Sequence, residues 1–94
     1  MPRKARVVRR ALLRKGFRQS DSRHRWYEYE QLNGEASGIK TLMSHGADRD
    51  LGDRLLGQMA RQIHLSRRQF EQLIDCGLSQ DDYEAVMRRD GFIR

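Results

Sequence analysis

The side chains best suited to chemistry are concentrated in residues 20–29, which read Ser-Asp-Ser-Arg-His-Arg-Trp-Tyr-Glu-Tyr. His24 is the proton carrier of this segment, since histidine exchanges a proton near neutral pH. Arg23 and Arg25 flank it and supply charges that bind phosphate, while Trp26 supplies a ring on which a base can stack. These residue types fit a metal-free site that cleaves RNA, and they would equally serve a surface that only binds it.

Three predicted strands position this segment. Alternating and aromatic residues predict them at residues 17–19, 24–32 and 38–43. Asn33-Gly34 predicts a hairpin between the second and third strands. Alternation along the second strand predicts that Tyr27 and Tyr29 pack beneath helices while His24 and Trp26 face outward.

A helix is predicted at residues 3–15, where apolar and basic residues recur with helical spacing and Gly16 supplies the stop. Its apolar face consists of Val7, Val8, Ala11, Leu12 and Lys15. A basic stripe on another face consists of Arg3, Arg6, Arg10 and Arg14. We expect this helix to be apolar toward the core and basic toward solvent.

Three further helices are predicted in the second half of the chain. The apolar positions of the first are Leu51, Leu55, Leu56, Met59 and Ile63. Gly57 inside it costs about 1 kcal/mol relative to alanine, and we expect it to permit close approach of a neighbouring element. Two shorter helices follow, and each begins after a serine that caps it. Capping boxes are predicted for both, formed by Ser66 with Gln69 and by Ser79 with Asp82.

These elements predict an α+β fold, an αβββα two-layer domain with additional short C-terminal helices. At 94 residues the chain has room for one small domain with a single core.

Positive charge is concentrated at one end of the chain. Residues 1–25 contain ten Lys or Arg and one acid, a net of +9, whereas the other 69 residues contain nine against twelve, a net of −3. A positive face raises the local concentration of polyanions and speeds encounter with nucleic acid. A solvated face that only keeps the protein soluble is the alternative, but the concentration of charge favours nucleic acid or another polyanion.

The histidines and the cysteine do not suggest a metal site. No two of His24, His45, His64 and Cys76 have the spacing of metal ligands, so we expect neither a metal nor another cofactor. Cys76 lies among apolar residues and is predicted to be a buried structural thiol. The single cysteine, together with the lack of an export signal or a membrane-spanning apolar run, predicts a cytoplasmic protein.

The order of the motifs resembles that of the HicA-type toxins. Ser22-Arg23-His24 precedes an aromatic strand, a hairpin follows, and then come Met43-Ser44-His45-Gly46 and a helix leading to Leu65-Ser66. HicA-type toxins are small mRNA interferases of toxin–antitoxin pairs, with a fold similar to double-stranded-RNA-binding domains. The resemblance implies a HicA-like RNA-binding or interferase domain at residues 1–70. Residues 71–94 would then be a C-terminal helical extension packed on the same domain.

The resemblance also implies roles for individual residues and a partner. By position, His24 corresponds to the catalytic histidine of the family, and an antitoxin of the HicB type would be the protein partner. Candidate RNA-binding residues are Arg3, Arg6, Arg10, Arg14, Ser22, Arg23, Arg25, Trp26, Lys40 and His45. His45 would be either a second proton carrier or only a loop residue.

Three function classes remain open on the sequence. The first is a metal-independent endoribonuclease, favoured by Ser22-Arg23-His24. The second is a non-catalytic RNA-binding module on the same fold, favoured by the long C-terminal extension and by Asp21, which stands where the family usually has glycine. The third is a protein-interaction module whose C-terminal helices form the docking surface.

Overall fold

A three-stranded antiparallel sheet and four helices form a small α+β domain, seen in a computed structural model that describes residues 3–20, 25–43 and 49–93. The helices are α1 (Ala5–Arg14), α2 (Asp53–Gln62), α3 (Arg67–Ile74) and α4 (Gln80–Arg89). The strands are β1 (Arg3–Lys4), β2 (Phe17–Gln19), β3 (Trp26–Glu30), β4 (Ala36–Leu42) and β5 (Asp50–Leu51). The predicted α+β class, its strand–strand–strand meander and its additional short helices are therefore confirmed.

The main sheet is a meander in the order β2-β3-β4. Phe17 pairs with Tyr29 across β2 and β3, and Trp26 pairs with Leu42 across β3 and β4. The β3–β4 turn is the predicted hairpin, in which Gly34 has a φ of +88° that glycine adopts without strain. This register places alternate residues of β3 on opposite faces of the sheet.

Helices α1, α2 and α4 contact the sheet on one face, and α3 packs against α1 and α2. Tyr27 and Tyr29 are fully buried on that face, as the alternation predicts. The Tyr29 ring packs against Phe17 and against Tyr83 of α4, with centroids 5.3 and 5.0 Å apart. Thr41 of β4 is also buried there, and its hydroxyl donates to the Gln62 side chain at the end of α2.

Two sequence expectations about the first helix need correction. The helix begins at Ala5, because Arg3 and Lys4 pair with Leu51 and Asp50 as the short strands β1 and β5. Arg3 therefore belongs to a β-strand pair and is not part of the helical stripe. Val7 is 42% exposed rather than buried, whereas Val8, Ala11, Leu12 and Lys15 face the core as expected.

The C-terminal helices begin where the sequence indicates. Ser66 and Ser79 each accept a hydrogen bond from the backbone of the third helical residue, and both capping boxes are complete. Apolar side chains of these helices belong to the same core as those of α1 and the sheet: Phe70, Leu73, Ile74, Tyr83 and Met87. The expected boundary between residues 70 and 71 falls within α3.

Two further expectations are wrong. Cys76 is exposed, because it follows α3 with a φ of +66°, the left-handed conformation that turns the chain away from the helix. Gly57 makes no close contact: a Cβ placed there would meet no atom within 4 Å. Over the described ranges, no helix is long and apolar enough to cross a bilayer.

Candidate nucleic-acid interface

The exposed side of α1 carries an arginine stripe, which we define as Arg6, Arg10 and Arg14. The three residues are exposed and four positions apart, so they lie one above another on the helix. Within the described part of the chain, none of the three forms an ion pair. Leu13 and Val7, 36% and 42% exposed, border the stripe. The helix therefore presents to solvent three guanidinium groups without an acidic partner among the described residues, and two exposed apolar side chains lie beside them.

Arg3 has a structural role instead. Its guanidinium donates to Glu71 at 2.9 Å and to both carboxylate oxygens of Asp75 at 2.6 and 2.8 Å. The hydrogen bond from Arg3 lowers the pKa of the Asp75 carboxyl below its usual value. Arg3 thus links β1 to α3, and its charge is not available to the stripe.

A second candidate surface lies on the side of the sheet that carries no helices. Trp26 is half-buried there, and Lys40 on the neighbouring strand holds its ammonium 5.1 Å from the centroid of the indole ring. This is a cation–π contact. Leu42 pairs with Trp26 across the strands. The exposed Arg25 lies opposite the buried Met43, so alternation along β3 places it toward the other face of the sheet. We call Trp26, Lys40 and Leu42 the tryptophan cluster.

The charges of that sheet face balance. Arg18 pairs with the carboxylate of Glu30 at 3.1 Å, and the Glu28 carboxylate accepts from the backbone N–H of Gly38 at 3.3 Å. Lys40 lies opposite Glu28 in the strand register, so the two cations of the face are matched by two acids. Trp26 and Lys40, the RNA-binding residues predicted on this face, both belong to the tryptophan cluster.

Several predicted site residues lie outside the described residues: Ser22, Arg23, His24 and His45. Their neighbours in sequence are described. Arg25, which follows His24, accepts at its carbonyl a hydrogen bond of 3.0 Å from the backbone N–H of Met43. The roles of the four residues stay predictions.

The stripe and the tryptophan cluster lie on opposite sides of the sheet, and a path between them runs around the edge strand β2. Arg9 of α1 donates to the Gln19 side chain at 3.3 Å. Gln19 pairs with Tyr27, and the next residue, Ser20, donates its N–H to the Trp26 carbonyl at 2.7 Å. The predicted residues therefore form two groups on opposite sides of the sheet, not one continuous patch.

The sequence reasoning missed other exposed arginines. Arg54 and Arg61 are both exposed on α2, seven residues apart and hence on one face. Their seven-residue spacing could have predicted a shared helix face. They were missed because they lie in the part of the chain that has a net negative charge. It also missed Arg9, which belongs to neither group but lies at the edge between them.

No three or more His, Cys, Asp or Glu residues are grouped to hold a metal ion anywhere in residues 3–20, 25–43 and 49–93. The two candidate surfaces among the described residues are an arginine-bearing helix and an aromatic cluster with one cation. Both suit contact with nucleic acid. A comparison of the chain with known protein families, curated proteins and solved structures found no match.

Proposed function

We propose that the protein binds RNA and that the arginine stripe of α1 supplies the main contact to phosphate. The observation that carries this proposal is the set of three exposed arginines, four residues apart, without an ion pair among the described residues. Arginine binds phosphate oxygens through its planar fork of N–H donors, and neutralising phosphates releases counterions.

The stripe does not improve the stability of its own helix. Like charges four residues apart repel each other and cost about 0.2–0.5 kcal/mol for each pair. Arg6 also lies in the first turn of α1, which contains no acid, and a cation at that end opposes the helix dipole. Since lysines and arginines scattered elsewhere would serve solubility equally well, binding of a polyanion is the better explanation of the stripe.

The fold supports a more specific assignment. An antiparallel meander with the first and second helices on one face is the arrangement expected of a double-stranded-RNA-binding-like domain. We propose that relationship, and with it membership of a HicA-like group with a HicB-type antitoxin as partner. The order of the sequence motifs supports this part of the proposal.

Catalysis is the second half of the proposal. His24 would remove the proton of a ribose 2′-OH, and that oxygen would attack the adjacent phosphorus. The bond to the 5′-oxygen breaks, a cyclic phosphate forms, and the leaving oxygen takes up a proton. Arg23 or Arg25 would stabilise the negative charge that develops on the phosphoryl oxygens. A non-catalytic RNA-binding module is the competing function, and Asp21 favours it.

The two halves are tested separately. For binding, the affinity for a mixed-sequence RNA is measured between 50 and 300 mM salt. With three phosphates neutralised, the plot of log K against log salt should fall with a slope of about −2 or steeper, and a flat plot refutes the proposal. For cleavage, wild type and His24→Ala are incubated with single-stranded RNA in EDTA. Fragments with wild type alone support the nuclease, whereas bound and intact RNA in both lanes supports the binding module.

A further inference from the structure

The tryptophan cluster has a composition that the arginine stripe lacks. Its centre is apolar, with Trp26 beside Leu42, and its cation is Lys40. Single-stranded nucleic acids bind to surfaces of this composition, where a base stacks on an aromatic ring and cations hold the adjoining phosphates. A duplex offers its phosphates but keeps its bases stacked inside, so the ring would have nothing to bind.

We propose that the tryptophan cluster is a binding site for one unpaired base of a single-stranded RNA, which makes single-stranded RNA the preferred ligand. The base stacks on the indole of Trp26, and Lys40 contacts a phosphate next to that nucleotide. This inference rests on the proposed RNA binding and adds to it the class of RNA and a second contact surface.

The ammonium of Lys40 now occupies the position over the ring, and a base would have to replace it. Exposed cation–π contacts are worth a factor of about 2 to 5 in an equilibrium constant, whereas stacking of a base on an aromatic side chain is worth about 5 to 150. Stacking of a base on Trp26 is therefore more favourable than the cation–π contact that it replaces. Lys40 is exposed and has a flexible stem, so its ammonium can turn from the ring to a phosphate.

The geometry of the edge strand favours a flexible strand over a duplex. A single strand that contacts both the stripe and the cluster would pass around β2, where Arg9 touches Gln19 and Ser20 bonds to Trp26. Because the stripe and the cluster face opposite sides of the domain, a ligand that contacts both must reverse its direction at this edge. A single strand can make such a reversal, while a duplex is far stiffer.

The chain contains one tryptophan, so tryptophan emission, excited selectively over that of the three tyrosines, reports on this site alone. The full chain is titrated with a ten-nucleotide single-stranded RNA, with the same strand in a duplex, and with the single strand carrying abasic positions. Binding is followed in parallel by the anisotropy of a dye on the RNA. We expect quenching of tryptophan emission by the intact single strand, in step with the anisotropy, and little quenching by the duplex or the abasic strand.

Variants separate stacking from general affinity. Trp26→Leu should weaken binding of the single strand by about 10-fold, within the range for one stacked base, and leave duplex binding within 2-fold of wild type. Leu32→Ala is the matched control, since Leu32 is an exposed apolar residue at the far end of the sheet, and it should change neither affinity. Circular dichroism of each variant establishes that it is folded.

The outcomes distinguish the two proposals. If RNA raises the anisotropy but leaves tryptophan emission unchanged, the stacking site is refuted and RNA binding stands. If the duplex quenches as strongly as the single strand, the preference for unpaired RNA is refuted. If no RNA changes the anisotropy at any salt concentration, the proposed function fails and this inference fails with it.

Discussion

Replacement of Glu84 by alanine should destabilise the domain severely, because this carboxylate joins α4 to the β3–β4 hairpin. Its Oε1 accepts hydrogen bonds from the Tyr29 hydroxyl and from the Leu32 backbone N–H, both at 2.8 Å. Its Oε2 accepts from Arg88 at 2.8 Å. Glu84 is 7% exposed and Tyr29 is fully buried, so water cannot readily replace the carboxylate.

The cost follows from the groups that lose a partner. A buried donor left unsatisfied costs about 1–3 kcal/mol, which applies to Tyr29 in full and to the part-buried Leu32 N–H at the lower end. The ion pair with the exposed Arg88 adds only about 0.3–0.5 kcal/mol. We therefore expect Glu84→Ala to lower the free energy of unfolding by about 2–4 kcal/mol, which for a domain of this size lowers Tm by at least about 8 °C.

Glu84→Gln isolates the charge, because it keeps an acceptor for Tyr29 and Leu32. Burial alone would raise the pKa of Glu84, but hydrogen bonds from Leu32, Tyr29 and Arg88 outweigh it and lower that pKa below the ordinary 4.5. The ionised carboxylate thus stabilises the fold above about pH 4.5, and this contribution is lost as the pH falls through the lowered pKa.

Urea unfolding of wild type and the two variants between pH 3 and 7 measures these effects. The difference between wild type and Glu84→Gln should be largest near pH 7 and should shrink below about pH 4. A difference that is constant over this range, or a Glu84→Ala variant within 0.5 kcal/mol of wild type, would refute the assigned role of the carboxylate.

Three other substitutions have predictable effects on stability, each measured by thermal or urea unfolding. Gly57→Ala should stabilise by about 0.5–1 kcal/mol, because the site is helical and has open space for a methyl group; a loss of stability would contradict this account. Gly16→Ala should destabilise the domain by more than 1 kcal/mol, since Gly16 has a φ of +94° that an L residue adopts only with strain, and the Cβ would also displace the end of the Gln80 side chain; a neutral result would show that the backbone adjusts freely. Arg6→Gln should stabilise by about 0.3–1 kcal/mol while weakening RNA binding, because it removes a cation from the first turn of α1; a loss of stability would indicate a structural role for Arg6.

The sequence predicted those parts of the fold that depend on local patterns. Alternation along β3 identified the buried tyrosines, and the two serine caps located α3 and α4. The β1–β5 pair was not predictable, because Arg3 and Lys4 continue the helical pattern of α1 and their strand partner lies about 47 residues away. Cys76 was misjudged for a similar reason: its neighbours are apolar, but the left-handed turn after α3 exposes it.

The candidate site was predictable in its residue types and less so in its arrangement. The helical spacing identified Arg6, Arg10 and Arg14, whereas the acidic partners of Arg3 are about 70 residues away in sequence. Trp26 was correctly placed on the outward face by alternation. Its contact with Lys40 depends on the register between β3 and β4, which shifts between Glu28 and Glu30.

The central claim is that the arginine stripe, and not net charge alone, binds RNA. The most direct test compares two triple variants of equal net charge, each with three exposed arginines replaced by glutamine. One removes the stripe, Arg6, Arg10 and Arg14; the other removes Arg54, Arg61 and Arg68, which lie on α2 and α3 and are likewise exposed without an ion pair among the described residues. At 0.15 M salt, loss of the stripe should weaken binding of a mixed-sequence RNA by at least about 10-fold, and the second variant should remain within about 3-fold of wild type. Equal losses in the two variants would contradict the account, because they would mean that RNA responds to overall charge and not to this helix.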